Sequence, residues 1–495
     1  MLGERVSHFL IVAGVLVSLL ILGMGSRGLN EPDEGRYANI GASLLNPQVS
    51  WLEPRQSGYA HYDKPPLIYY ATALSFKTLG VNEWSARMPS LLGAVLTLTG
   101  VAWTAFRLYG ARTAWWTLVI SGTMAQFWLL ARFLTPDMLL TGWCALAVAA
   151  WAEARQRGGS WAWWSASVLC WTLAWWTKAT PALVPLGGLI VALLVTRDRA
   201  GWRALRPARL LVAVVALGLP WYVLLVRQHP ELWDFFWHRQ MIGHMAGGSE
   251  ARKSVWWYYL ALSPLFWLPW SLLVAGLLFR VNRENNLPAP SRQDAKFNLT
   301  VGGWLALTGL LVFTLNSSKL PTYTLTIAPW TGLALARLFV CRANERWQTI
   351  SLTVTGLFCV GLLAVHQWVY LPRYQSSIGA NSSLREVAAT LNRDGARAVV
   401  LDRYWPGMEI YFSGDIIYTV NNPVWQRVTD RSVLAAGRDV RFVPVEELRF
   451  DELPPELWLV HYRKVSRKAL EFFNLPPDAA DGEVIGDFTL WKIRR

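Results

Sequence analysis

The chain has 495 residues, of which 53% are hydrophobic and 16% charged, with 30 Trp and a formal net charge of +14. A soluble globular protein carries about 25% charged residues, so this composition excludes a disordered chain, a collagen-like repeat and a string of ordinary soluble domains, and indicates a polytopic membrane protein. The basic balance fits nucleic acid, an anionic membrane surface or an anionic ligand equally well, so the placement of the charges has to decide.

The first apolar run, His8 to Gly25, follows Arg5 and has no A-x-A-like cleavage motif before the polar stretch at Asn30. It reads as a retained first helix rather than a signal peptide. Further apolar runs bounded by charge lie near 88–106, 113–131, 138–152, 161–177, 181–196, 208–226, 256–279, 297–315, 320–341 and 349–371, eleven with the first. A shorter, Tyr-rich run, Leu67 to Leu79, is broken by Lys77 and reads as an interfacial helix. If the first helix starts inside, the inside segments hold sixteen basic and six acidic residues, and the outside segments up to residue 382 hold fourteen and ten. That asymmetry places the N-terminus in the cytoplasm and the C-terminus outside.

After about residue 372 the apolar runs stop, and the tail from Ser383 is near neutral, with sixteen basic and seventeen acidic residues. Helices at Leu384 to Asn392 and Val465 to Phe473 alternate with strands at Ala398 to Leu401, Ile416 to Val420, Leu457 to His461 and Phe488 to Ile493, which implies a small α/β domain. The expected architecture is therefore a polytopic α-helical membrane domain (1–372, about 11–13 transmembrane helices, N-terminus in) followed by an outside α/β domain (373–495). With a neutral tail and a basic excess that is mostly an orientation signal, no nucleic-acid footprint remains. Cys144, Cys170, Cys341 and Cys359 fall inside apolar runs without CxxC spacing and read as small buried residues.

Unusual charge gathers in the outside loops. The first of these, about 26–87, carries Glu31-Pro32-Asp33-Glu34-Gly35-Arg36-Tyr37 and then Tyr62-Asp63-Lys64-Pro65-Pro66. Asp33 and Glu34 open a helix (Gly35 to Leu45) at the membrane surface, where a carboxylate can act as a general base or help hold a metal; the plainer reading is a solvated loop with a helix cap. The later outside loops are short but place Arg132, Asp137, Lys178 and Lys319-Leu320-Pro321-Thr322-Tyr323 beside helix ends. Only nine residues are lysine, and Lys64, Lys178 and Lys319 all border the outer face. With Arg36 they form a set suited to gripping phosphate, the alternative for each being a side chain that snorkels at a helix end. The loop from Arg227 to Val255 holds His229, His238 and His244, candidates for metal ligation, a base or a simple interfacial role, without HxxxH spacing. Trp115-Trp116, Trp175-Trp176 and Trp256-Trp257-Tyr258-Tyr259 fit an interfacial aromatic belt.

Taken in order, Glu31-Pro32-Asp33-Glu34-x-Arg36-Tyr37-Ala38, Tyr62-Asp63-Lys64-Pro65-Pro66, Asp137, Trp176-Thr177-Lys178, Pro230-x-x-Trp233 leading into Phe235-Phe236-Trp237, Trp257-Tyr258-Tyr259 and Lys319-Leu320-Pro321-Thr322-Tyr323 resemble the bacterial GT-C glycosyltransferases. Among them the series is most similar to the undecaprenyl-phosphate aminoarabinose transferases that modify lipid A, within the wider protein-mannosyltransferase-like superfamily. The resemblance implies an inner-membrane enzyme that moves a sugar from a polyprenyl phosphate carrier to a periplasmic acceptor, lipid A or another envelope component, with membrane lipids around it and no nucleic-acid partner. It implies Asp33 as leading catalytic carboxylate, beside Glu34, with Asp137 as the second, and Lys64 and Arg36 as ligands of the carrier phosphate, assisted by Tyr323, Lys319 and Lys178. It further implies a zinc ion held by Asp63, which stands where those enzymes carry a glutamate one methylene longer, and by His244 or His238. A protein O-mannosyltransferase-like or other envelope glycan transferase is the nearest alternative. A lipid-linked sugar transporter or flippase would put charge at the bilayer midplane and show inverted repeats, whereas here charge lies at one face and no repeat is present.

Overall fold

A computed structural model describes residues 2–238, 254–283, 301–370, 380–393, 397–401, 404–419, 440–443, 453, 456–462, 471 and 482–494. In chain order, α1 (Leu2–Ile21) is followed by α2 (Asp33–Ser43), a hairpin of β1 (Arg55–Gln56) and β2 (Tyr59–Ala60), α3 (Leu67–Leu79), α4 (Glu83–Tyr109), α5 (Ala111–Gly122), α6 (Ala125–Leu130), α7 (Pro136–Gln156), α8 (Trp161–Thr177) and α9 (Ala179–Thr196). Next come α10 (Arg199–Leu205), α11 (Pro207–Gly218), α12 (Pro220–Gln228), the single turn α13 (Leu232–Asp234), α14 (Tyr258–Phe266), α15 (Trp270–Arg283), α16 (Val301–Leu315), α17 (Ala328–Arg342) and α18 (Glu345–Ala364). Contacts divide the chain into two compact units. The first is Met1–Leu22, Asp63–Leu67 and Pro89–Leu362, and the second is Gly23–Tyr62, Ile68–Met88 and Leu363–Arg495.

The first unit is helical because its sequence is apolar all round, and it is that of a multi-pass membrane protein. Among the described residues, Glu83–Tyr109, Ala179–Thr196, Arg199–Gln228 and Glu345–Val369 are long and apolar enough to cross a bilayer, and a pair bent by 93°, Tyr258–Phe266 with Trp270–Phe279, makes a fifth candidate. Of the other expected spans, α1 and α7 are unbroken helices of 20 and 21 residues, and the rest are shorter or interrupted. The run 113–131 divides into α5 and α6, Pro220 starts a new helix inside the run 208–226, and the run 320–341 begins as a 3-10 turn at Tyr323–Thr326 before α17. Leu315, Phe279 and Leu357 are 85%, 72% and 69% exposed, an apolar outer surface that water would penalise and lipid tails accept.

Small residues let the helices approach closely. A Cβ added to Gly93 of α4 would lie 2.6 Å from the backbone of Leu139 in α7, and one added to Gly142 would lie 2.6 Å from the Gly93 carbonyl oxygen, so the two helices cross at backbone contact. Trp151, Trp171, Leu189, Trp330 and an alanine-rich face of α7 fill the interior around that crossing. Charges expected inside meet one another: Glu153 accepts from Arg107 at 2.8 Å and Arg157 at 2.7 Å, and Asp198 accepts from Arg155 at 2.7 Å.

The second unit holds the α/β tail together with most of the first outside loop. Six strands form a mixed sheet in the order β5-β4-β3-β6-β8-β7, from β3 (Ala398–Val400), β4 (Ile416–Thr419), β5 (Val440–Val443), β6 (Glu456–Tyr462), β7 (Glu483–Ile485) and β8 (Phe488–Arg494). The first four in that order are parallel, and β8 and β7 close the edge antiparallel. A helix at Ala380–Arg393 packs its Leu384, Val387 and Leu391 into the core with Trp405, Met408 and Phe488. The expected helix at Val465 to Phe473 lies outside the described residues apart from Glu471, and β5 and β7 are strands that the alternation of the sequence did not reveal. A division at residue 372 would assign residues 26–87 to the membrane domain, whereas by contacts most of that loop packs with the tail.

Candidate functional site

In the second unit, α2 begins at Asp33, directly after Pro32, with both acids in its first turn, where the positive end of the helix dipole favours them. Successive residues of a helix point about 100° apart, so the two carboxylates part company. Asp33 remains 44% exposed and pairs with Arg36, three residues along and 31% exposed, whose guanidinium also lies 5.4 Å from the Tyr37 ring centre. Here a partly solvated carboxylate and a cation share one accessible face.

Glu34 turns inward and is wholly buried. Arg87, from the first turns of α4 and also fully buried, grips it in a fork, Nε to Oε1 at 2.8 Å and Nη2 to Oε2 at 2.9 Å, and Arg27 reaches Oε2 at 2.5 Å. The Asn30 amide donates to the same oxygen at 2.9 Å. Arg87 donates further to the carbonyls of Met24 (2.6 Å), Gly28 (2.8 Å) and Arg27 (3.0 Å), so one side chain ties the strand of chain before α2 to α4. Burial by itself would raise the Glu34 carboxyl, but Arg27 and Arg87 outweigh it and hold it down at about 2. This corrects the expectation that Glu34 shares the chemistry with Asp33: an enclosed, doubly paired carboxylate has no edge to offer a substrate, and its work is to hold the loop that presents Asp33.

The helix α3 lies where an interfacial segment was expected and packs in the same unit, Tyr69 stacking on Tyr37 at 6.0 Å and Thr72 filling the space that Gly41 leaves. Leu74 and Leu79 on its other face are 60% and 54% exposed.

In the first unit a second group assembles. Asp137 sits at the start of α7 behind Pro136, and Lys178, at the break between α8 and α9, donates to its Oδ1 at 2.8 Å. The Lys178 ammonium also lies 4.8 Å from the ring centre of Tyr323, so these three expected residues meet. Lys319 is close by in sequence but is 5% exposed and donates to the carbonyls of Thr314, at 2.9 Å, and Asn316 at the end of α16. That differs from the expected phosphate contact: its charge caps a helix C-terminus, while Tyr259 bridges the backbone of Leu320 at 3.0 Å. Asp63 is exposed, and Lys64 donates to the Asp63 carbonyl at 3.2 Å.

For a metal the described residues supply only part of a site. No three His, Cys, Asp or Glu side chains among them come together in a way that holds an ion, His238 is exposed and 2.7 Å from Asp234, and His244 lies outside the described residues.

Comparison with known proteins supplies the context. A model of the dolichyl-phosphate-mannose-protein mannosyltransferase family matches residues 63–224. The chain is 28% identical over 327 residues to an undecaprenyl phosphate-α-4-amino-4-deoxy-L-arabinose arabinosyl transferase of Enterobacter sp. (strain 638), covering 64% of this chain and 57% of that protein. It is 27% identical over 379 residues to a second such transferase, of Pseudomonas fluorescens, covering 73% of this chain and 65% of that one. The chain thus spans less than two thirds of the length of the relatives it matches. In three dimensions it resembles ArnT from Cupriavidus metallidurans bound to undecaprenyl phosphate, with 19% identity and a TM-score of 0.75 over 98% of this chain and 97% of that one. The resemblance read from the ordered motifs holds, and the fold is shared from end to end.

Proposed function

From the GT-C fold it shares with ArnT, we propose that this chain is an inner-membrane glycosyltransferase that moves a sugar, aminoarabinose, from undecaprenyl phosphate to a phosphate of lipid A on the periplasmic face. The observation that carries the reading is Asp33, presented half-exposed with Arg36 at the start of α2 on a loop locked from behind by Glu34, Arg27 and Arg87. In the reaction an acceptor oxygen forms a bond to the anomeric carbon while the bond from that carbon to the carrier phosphate oxygen breaks, and the electron pair leaves with the phosphate. Cations that meet the growing phosphate charge lower the barrier, which is the role we give Arg36 and Lys64, with Lys178 and Tyr323 assisting. Asp33 orients the acceptor, takes its proton where the acceptor is a hydroxyl, and stabilises positive charge at the anomeric carbon. Asp137, paired with Lys178, is the second carboxylate, holding that lysine in place.

Mass spectrometry of lipid A from cells with and without the gene tests the acceptor. A pentosamine lost from a lipid A phosphate on deletion is the expected result, and an unchanged spectrum overturns it. The match of residues 63–224 to the protein mannosyltransferase model favours a second reading, transfer to a Ser or Thr hydroxyl. Sugar label recovered in protein, with lipid A unmodified, would select that reading.

Lys64→Ala is expected to weaken carrier binding about 10- to 100-fold, the loss of one charge-assisted contact, with a smaller effect on kcat. Equal affinity of wild type and variant for undecaprenyl phosphate would remove Lys64 from the phosphate site. We also propose zinc at Asp63 with His244 or His238. Elemental analysis of purified protein is expected to find zinc in wild type and less of it in Asp63→Asn, and metal-free wild type with full activity would refute the site.

A further inference from the structure

Within the second unit, a segment of the tail lies against the loop that carries Asp33. Tyr411 Oη accepts from the Leu29 amide at 2.9 Å, and the Gly407 amide donates to Glu31 Oε1 at 2.6 Å. Asn39 in α2 donates to the Pro406 carbonyl at 3.3 Å and accepts from the Ser57 amide at 2.8 Å. Ser57 Oγ in turn lies 2.6 Å from Tyr404 Oη and donates to Glu409, while Gln56 donates to Tyr404 at 2.9 Å. Glu31, two residues before Asp33, occupies a slot that exists because Gly35 and Gly407 lack side chains; a Cβ on either would overlap its carboxyl group. The contact joins Glu31, the first residue of the Glu31-Pro32-Asp33-Glu34 motif, to a residue 376 positions away.

We propose that Glu31 is a positioning residue: as a neutral acid it docks the segment 404–411 onto the start of α2 and so fixes where Asp33 stands, and loss of its proton undocks the segment. The groups facing it are Glu409 and Tyr404 from the tail, and Glu34 and Arg36 from α2. Burial first, then the charges of Glu409 and Glu34, raise the Glu31 carboxyl to about 8, against the pull of the Gly407 amide and of Arg36. Its contribution to docking is therefore complete below about pH 4.5 and is lost as pH rises from there through about 8. The effect on transfer rests on the function proposed above; the docking itself does not.

Hydrogen exchange of the full-length protein in lipid nanodiscs, read in peptides covering 404–411 and 33–43, separates the two. Wild type and Glu31→Gln are compared at equal pH so that intrinsic exchange cancels. At pH 4, below the ordinary carboxyl value of 4.5, they match; at pH 9 wild type exchanges up to about 10³-fold faster than the variant. Gly407→Ala, which fills the slot, exchanges fast at pH 4 and at pH 9 alike. In transfer assays the ratio of kcat at pH 9 to kcat at pH 7 is higher in Glu31→Gln than in wild type, with KM for the donor changing little in either. Parallel exchange profiles for wild type and Glu31→Gln overturn the docking even if the enzyme transfers sugar. The exchange difference without any transfer upholds the docking and overturns the function.

Discussion

Asp33→Asn is expected to lower sugar transfer at least about 100-fold while leaving the protein folded and inserted, because one positioned carboxylate contributes roughly 10²–10⁴ to such a reaction. The substitution is a fair test of chemistry rather than of structure. Asparagine keeps an oxygen for Arg36 and suits a helix start, and the Asp33 side chain is 44% exposed, so no buried charge is left unpaired. The carboxylate next in sequence cannot substitute, since Glu34 is enclosed by Arg27 and Arg87. Steady-state transfer by purified protein, with melting temperature as the control, gives the answer; a variant within a few-fold of wild type would move the catalytic carboxylate elsewhere.

Arg87→Met is expected to be the most destabilising single change in the loop, by about 3–5 kcal/mol, because it strands the buried Glu34 carboxylate with half its compensation gone and takes a hydrogen-bond donor from each of three backbone carbonyls. For a unit of this size the melting temperature should fall by roughly 10 °C. Adding Glu34→Gln to Arg87→Met should recover part of that loss, since it removes the stranded charge, although Glu34→Gln alone destabilises. A double variant that is simply the sum of the two singles would show that the pair does not act as one. The same pair gives an acid limit: with its carboxyl held down at about 2, Glu34 contributes stability that is complete above about pH 4.5 and is lost as pH falls through about 2. Loss of the loop's protection from protease over that acid range, absent in Glu34→Gln, is the measurable sign.

The membrane architecture was legible because it depends on composition over long windows. Runs of apolar residues became helices, α3 has the bounds read for it, and Arg107, Arg155 and Arg157, which border the expected spans 88–106 and 138–152, gather with Glu153 and Asp198. Breaks inside runs were less visible: 256–279 reads as one span, yet the chain bends by 93° around Trp267–Pro269. Asp33, Arg36, Asp137, Lys178 and Tyr323 were singled out because an ordered series of motifs marked them, and the structure brings Asp33 to Arg36 and joins the last three. What hydropathy and spacing could not tell was which member of the Asp33-Glu34 pair faces inward, because that is set by Arg87, 53 residues away in sequence. Lys319 looked like a phosphate ligand for a similar reason, since only the fold shows that helix-end carbonyls already occupy its ammonium group. The grouping of residues 23–62 with the tail rests on contacts between residues more than 340 positions apart, such as Ser57 with Tyr404, and no local pattern announces them.

The most direct test of the central claim uses the purified chain in proteoliposomes supplied with undecaprenyl-phosphate aminoarabinose and lipid A, with products read by mass spectrometry. The expected result is one pentosamine added to a lipid A phosphate for each undecaprenyl phosphate released, at a rate at least about 100-fold lower in Asp33→Asn. No transfer by the wild type, or transfer at equal rates by both proteins, would contradict it.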